Sequence, residues 1–263
     1  PTPGHSSAAS DVYKRQEILL PYKQSTLGPF ISTADLNNDG KEDIFIGGAH
    51  KQDAKIFLSN ENGLIEKNIE SFEVDSKNED MESIFIDIDN DNDLDLYVVS
   101  GGNEFNNRSI ELADRIYIND GKGNFKRDFQ EDLQNYTISG KTVTEIDFDN
   151  DGDSDIIIGN RIQTKKYPIH EPSIIYENIS GKFYNNTYNI DPEFENFGIV
   201  NKVIKTDFNN DGWDDFIAVG EWTNIGLFLN ENGKFRDISN ESNLENTYGP
   251  VSYTHLRAHE TVV

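Results

Sequence analysis

One nine-residue acidic pattern recurs four times along the chain, and it limits the available folds more than any other feature. The copies are Asp35-Leu36-Asn37-Asn38-Asp39-Gly40-Lys41-Glu42-Asp43, Asp87-Ile88-Asp89-Asn90-Asp91-Asn92-Asp93-Leu94-Asp95, Asp147-Phe148-Asp149-Asn150-Asp151-Gly152-Asp153-Ser154-Asp155 and Asp207-Phe208-Asn209-Asn210-Asp211-Gly212-Trp213-Asp214-Asp215. Their first aspartates lie 52, 60 and 60 residues apart. A β-branched run follows each copy, as in Ile44-Phe45-Ile46 and Ile156-Ile157-Ile158, and a strand-like stretch such as Ser83–Ile86 or Val203–Thr206 precedes it. A second element recurs downstream: Ile56–Asn60, Ile116–Asn119, Ile174–Asn178 and Leu227–Asn230, each followed by a glycine turn. A short closing strand follows three of these, at Phe125, Phe183 and Phe235. Four strands per ~50–60 residues is the blade pattern of a β-propeller. The expectation is an all-β fold of about four blades, with no sustained helical period and with Glu193–Val200 as a loop or single turn.

The spacing within each copy also suits a metal. Side chains at positions 1, 3, 5 and 9 and the carbonyl of position 7 can converge on one point. Glycine at position 6 permits the left-handed bend that lets them meet, and Asn92 tolerates the same region in the second copy. The predicted ligands are Asp35, Asn37, Asp39, Lys41 and Asp43; Asp87, Asp89, Asp91, Asp93 and Asp95; Asp147, Asp149, Asp151, Asp153 and Asp155; and Asp207, Asn209, Asp211, Trp213 and Asp215. Lys41, Asp93, Asp153 and Trp213 contribute through their carbonyls. Dense oxygen donors without sulfur or nitrogen select a hard cation, and a high, flexible coordination number favours Ca²⁺ over Mg²⁺. About four Ca²⁺ sites are expected.

Position 12 separates these loops from an EF-hand, which needs Glu there; this chain has Ile46, Val98, Ile158 and Ala218. The loop therefore sits inside a β-hairpin. Ligand-position carboxylates total 14 negative charges, of which four Ca²⁺ would offset eight. The competing reading, solvated acidic turns, leaves several carboxylates within a few ångströms of one another without a counter-charge.

Composition narrows the function. The formal net charge is −25, which repels nucleic acid and anionic lipid. There is no cysteine, so disulfides and thiolate metal sites are excluded. No apolar run approaches the ~18 residues of a membrane span, so direct insertion is not expected. Gly-x-Ser-x-Gly and zincin spacings are absent, and the clustered carboxylates are committed to metal. His50 and His170 read as loop histidines rather than general bases. No enzyme activity is expected.

Both ends read as foreign sequence. Residues 6–16 look like a translated transposon-based sequencing adapter, and residues 251–261 look like its partner read in reverse complement. Pro1–Gln16 and Val251–Val263 are therefore taken as assembly artefact, and 17–250 as a partial propeller from a longer gene.

The repeats resemble FG-GAP/VCBS repeats, the blades of integrin-α-like propellers. The resemblance is closest to the bacterial branch related to cartilage acidic protein, often associated with an ASPIC/UnbV domain. Leu19-Leu20-Pro21, Tyr97–Glu104, Tyr117–Phe125 and Gly220-Glu221-Trp222 carry it. It implies a propeller of about seven blades, so that the remaining blades are missing from this piece, and no ASPIC/UnbV segment is present. It also implies an extracellular, cell-surface or periplasmic adhesion module whose partner is a protein or a glycan. The alternative it suggests is a non-catalytic scaffold of a larger secreted enzyme, such as a polysaccharide-degrading lyase. In such propellers partners bind the face opposite the calcium loops. Here that face would carry His50, Asn103, Glu104, Arg161, His170, Glu221 and Trp222, within long loops at 101–114 and 160–172 that also hold Arg108, Lys165, Lys166 and Tyr167. Basic and aromatic groups on an acidic chain mark that face as the binding candidate, although solvated insertions, with Trp222 packed between blades, account for it equally well.

Overall fold

The computed structural model describes residues 30–247. The adapter-like ends and Leu19-Leu20-Pro21 lie outside the described residues. Within them, sixteen strands form four four-stranded antiparallel sheets, each a simple meander in chain order. The first sheet contains β1 (Ile31–Ala34), β2 (Asp43–Ile46), β3 (Lys55–Asn60) and β4 (Gly63–Lys67). The second contains β5 (Asp80–Ile86), β6 (Asp95–Ser100), β7 (Arg115–Asn119) and β8 (Phe125–Asp128). The third contains β9 (Gly140–Ile146), β10 (Asp155–Asn160), β11 (Ile174–Asn178) and β12 (Phe183–Asn185). The fourth contains β13 (Ile199–Thr206), β14 (Asp215–Glu221), β15 (Gly226–Asn230) and β16 (Phe235–Asp237). These are four propeller blades.

Alternation along the second strands explains how the blades stack. Successive side chains of a strand point to opposite faces. In β6, Leu96 and Val98 enter the core shared with the first blade, while Tyr97 and Val99 enter the core shared with the third. In β10, Ile156 and Ile158 join that second core and Ile157 joins the one shared with the fourth blade. Both faces are covered, so all six residues of β6 and of β10 are buried. This is why these strands read as continuous apolar runs.

Two findings extend the sequence expectation. The first blade has a closing strand as well, β4, whose Leu64 and Ile65 are exposed. A short helix follows the closing strand of each of the first three blades: α1 (Glu70–Val74), α2 (Glu131–Asn135) and α3 (Thr187–Ile190). Each drops one apolar side chain, Phe72, Leu133 or Ile190, into the core shared with the next blade. Burial of such a side chain contributes roughly 1.5–3 kcal/mol. Glu193–Val200 contains a single 3-10 turn at Phe194–Asn196, and β13 begins at Ile199.

The inner strands of successive blades also bond directly. Ser32 Oγ donates to Ser83 O at 2.8 Å, and Thr144 Oγ1 donates to Val203 O at 2.7 Å. Gly159 lies where blade three packs closely on blade four; a Cβ there would stand 2.5 Å from Val200 Cγ1.

Candidate metal centres and the opposite face

All four acidic loops sit at the turn between the first and second strands, at one end of the propeller. Their backbones share one shape. Position 4 is Asn in every copy and adopts positive φ, from 57° to 62° at Asn38, Asn90, Asn150 and Asn210. Position 6 does so again at Gly40, Asn92, Gly152 and Gly212. Position 1 curls the loop around itself: Asp35, Asp87, Asp147 and Asp207 each accept the N–H of position 6, at 2.7–3.2 Å. Position 5 accepts the N–H of position 7 in every copy, at 2.8–3.0 Å.

Carboxylates converge most closely in the second and third loops. Oxygens of Asp87, Asp89 and Asp95 lie within 4.8 Å of one another, as do those of Asp147, Asp149 and Asp151. In the first and fourth loops position 3 is Asn37 or Asn209, whose Oδ1 accepts the N–H of Asp39 or Asp211 at 3.0 Å. Burial and the neighbouring carboxylates push Asp89 and Asp149 above the ordinary carboxylate range. Asp147 Oδ1 is buried without a hydrogen-bond partner among the described residues. A buried, orphaned anionic oxygen beside two further carboxylates is a donor set that fits a hard cation.

Position 9 does more than offer a ligand. Asp43, Asp95, Asp155 and Asp215 are 0–1% exposed. In each, one oxygen accepts the N–H of loop position 2 (Leu36, Ile88, Phe148, Phe208) at 3.0–3.3 Å. The other accepts an N–H of the third strand (Ser59, Asn119, Asn178, Asn230) at 2.7–2.8 Å. The aspartate thus clamps the loop to the sheet. Burial pushes Asp95 up to about 7 and Asp155 to about 8, against the downward pull of those N–H groups.

A second recurring group was not identified from the sequence. Asn119, Asn178 and Asn230 end the third strands and are buried. Each Nδ2 donates to the loop of the preceding blade, at Leu36 O, Ile88 O or Phe148 O, at 2.7–2.9 Å. It also donates to its own loop at Leu94 O, Ser154 O or Asp214 O, at 3.1–3.2 Å. The signal was available, because Asn recurs at one register in three copies; it reads as turn chemistry when taken alone. The loops are also linked side chain to side chain, by Asn38 Nδ2 to Asp93 (2.9 Å) and Asn90 Nδ2 to Asp153 (2.5 Å).

The opposite end carries the loops between second and third strands, at 47–54, 101–114, 161–173 and 222–225. Arg161 and Glu221 lie under this surface as a buried ion pair at 2.8 Å, with Arg161 Nε also on Asn201 at 3.2 Å. Arg108 pairs with the buried Glu171 at 3.2 Å. A further buried pair, Arg115 with Asp80, is joined by Gly48 N on Asp80 at 2.6 Å. His50 bonds Lys77 O at 2.7 Å through Nδ1 and sets its ring edge-on to Phe105. His170 closes the third loop by a bridge to Ile162. Asn103 accepts Lys165 N at 2.6 Å, bringing the two long loops together. Glu104 stands against Glu79, whose carboxyl is pushed up to about 7 by burial and then by Glu104. Trp222 is 70% exposed, with φ +60°, and its Nε1 donates to Tyr167 Oη at 2.6 Å. It therefore projects outward rather than packing between blades.

The FG-GAP-like repeat family matches residues 35–98 and 87–158, the first three acidic loops with their following strands. No curated protein sequence matches the chain. Among solved structures, a lectin of Agrocybe aegerita, described for specific recognition of non-reducing terminal N-acetylglucosamine, is similar in fold. It is 16% identical, with TM-score 0.52 over 79% of this chain and 50% of its own. The V. cholerae biofilm matrix protein Bap1 aligns at 19% identity over 79% of this chain and 30% of its own, with TM-score 0.35. The chain thus spans half the length of the first and less than a third of the second.

Proposed function

We propose that this chain is a calcium-stabilised β-propeller module that binds a protein or glycan partner outside the cytoplasm, without catalysis. The observation that carries the metal reading is the buried, unpartnered Asp147 Oδ1 beside Asp149 and Asp151. Asp35, Asn37, Asp39 and Asp43, with their counterparts in the other three loops, would hold the ions. Bound Ca²⁺ would supply charge compensation and cross-linking of each loop, and no chemistry beyond that. An extracellular setting suits sites of this kind, where modules bind Ca²⁺ at ~10⁻⁴–10⁻³ M. Among the described residues no helix is long and apolar enough to cross a membrane.

The binding half of the reading rests on how the two ends differ. One end repeats the same acidic loop in every blade, whereas the other changes in length and chemistry from blade to blade and exposes Trp222. The fold likeness to a glycan-binding lectin supports a glycan as the partner class. Equilibrium dialysis against ⁴⁵Ca²⁺ tests the metal half. The expected result is about four ions per chain with millimolar or tighter dissociation, little displaced by equimolar Mg²⁺. Uptake of no ion by folded protein would overturn it.

A further inference from the structure

We infer that the junction between the second and third blades, at the end opposite the acidic loops, is a binding cleft for one unit of a neutral saccharide. The inference rests on the binding-module reading above and gives it a place and a ligand class. The cleft has a volume of about 160 Å³ and is walled by Tyr136 and Tyr188, with Ser173, Asn185 and Glu195 on its polar side. Tyr136 follows α2 of the second blade, while Tyr188 lies in α3 after the third. The cleft therefore exists only where two blades meet.

The two walls differ in rigidity. Tyr136 meets the buried Tyr176 edge-on, with centroids 6.3 Å apart, which fixes its ring. Tyr188 is 78% exposed, a large aromatic surface that contributes little to the core. Asn185 Oδ1 is held by Thr187, from its N at 3.1 Å and its Oγ1 at 2.8 Å, so the amide has a set orientation. Its Nδ2 makes no hydrogen bond among the described residues, and neither do the Glu195 carboxylate or the two tyrosine hydroxyls. The cleft thus offers aromatic faces for the apolar C–H face of a sugar ring, with a pre-set donor and an acceptor for its hydroxyls.

Size and charge select the ligand. Pockets for drug-sized ligands run to about 300–1,000 Å³, so this one admits a single ring and leaves the rest of a chain in solvent. Glu195 and the net charge of −25 disfavour an acidic sugar. A peptide could add only along the edge strand β12, whose Phe183 and Asn185 N–H groups are already taken by Gln130 Oε1 at 2.8 Å and Asp132 Oδ2 at 3.0 Å. The unpaired groups here suit hydroxyls better.

The test is a printed array of neutral and uronic-acid-bearing oligosaccharides probed with the calcium-loaded chain. The strongest neutral compound is then titrated by NMR against the wild type, Tyr188→Ala and Leu64→Ala, an exposed apolar residue of the first blade. The expected result is neutral glycans only, at about millimolar dissociation for a single-ring contact. Binding should weaken at least tenfold in Tyr188→Ala, with an unchanged melting temperature and an unchanged Leu64→Ala control. A chain that binds no glycan, or only acidic ones, overturns the inference. Glycan binding that survives in Tyr188→Ala overturns the cleft while leaving the module reading standing, and the ⁴⁵Ca²⁺ result is independent of both.

Discussion

The two ends of this propeller are built on opposite principles. At the acidic end every blade uses the same parts: a loop curled on its first aspartate, a ninth-position aspartate clamped to two backbone N–H groups, and in three blades an asparagine reaching back to the neighbouring loop. At the other end the short helices α1 to α3 recur, but the loops between second and third strands do not. The loops there have 8, 14, 13 and 4 residues, and the ion pairs Arg115–Asp80, Arg161–Glu221 and Arg108–Glu171 each occur once. Repetition marks what stacks blades; variation marks where blades can acquire separate roles.

The sharpest way to break that contrast is at the variable end, because non-repeated does not mean unimportant for stability. Arg115→Ala leaves Asp80 buried without its partner and is expected to cost about 3–5 kcal/mol in urea unfolding. A cost under about 1 kcal/mol would mean that this end is not held by its ion pairs. At the repeated end, Asn178→Ala leaves Ile88 O and Ser154 O without their donor. It is expected to cost about 1–3 kcal/mol. The first blade supplies an internal comparison, because Ser59 occupies that register and bonds only its own loop, at Glu42 O. Ser59→Ala should therefore cost less than Asn178→Ala in the same assay.

Smaller effects sharpen the picture. Trp222 holds a left-handed backbone while mostly exposed, which disfavours any residue with a Cβ. Trp222→Gly is expected to gain up to about 1 kcal/mol in stability, a sign that presentation of the ring, not packing, accounts for Trp there. A further effect is one of pH. The Glu79 carboxyl has a folded value of about 7, raised by burial and then by Glu104. A raised carboxyl favours the folded state while protonated, and that contribution is lost as pH climbs from the ordinary carboxylate range through 7. Glu79→Gln should therefore stabilise the protein more at pH 8 than at pH 5, by melting temperature. The opposite sign would place a cation beside Glu79.

Much of the repeated end was legible in the sequence, since each loop and its flanking strands recur in phase. The closing strand of the first blade was not, because Leu64-Ile65-Glu66 lacks the aromatic that marks the other three and is exposed. The helices α1 to α3 escape because four or five residues are too short to show a period. The interblade asparagines were visible but uninterpreted, and Ser59 breaks their series at the first blade. The variable end was the least legible. Arg161 and Glu221 looked like surface ligand groups, yet a contact across 60 residues buries them against each other. The Tyr136–Tyr188 cleft brings together residues 52 apart whose relation no local pattern encodes.

The most direct test of the central claim, that Ca²⁺ completes the repeated end, is thermal unfolding in EDTA against a Ca²⁺ titration, with Mg²⁺ as control. Each independent site at 100 times its Kd adds about 2.7 kcal/mol. The account predicts a large, Ca²⁺-specific rise in melting temperature that shrinks in Asp147→Asn. A chain folded in EDTA whose melting temperature ignores Ca²⁺ would contradict it.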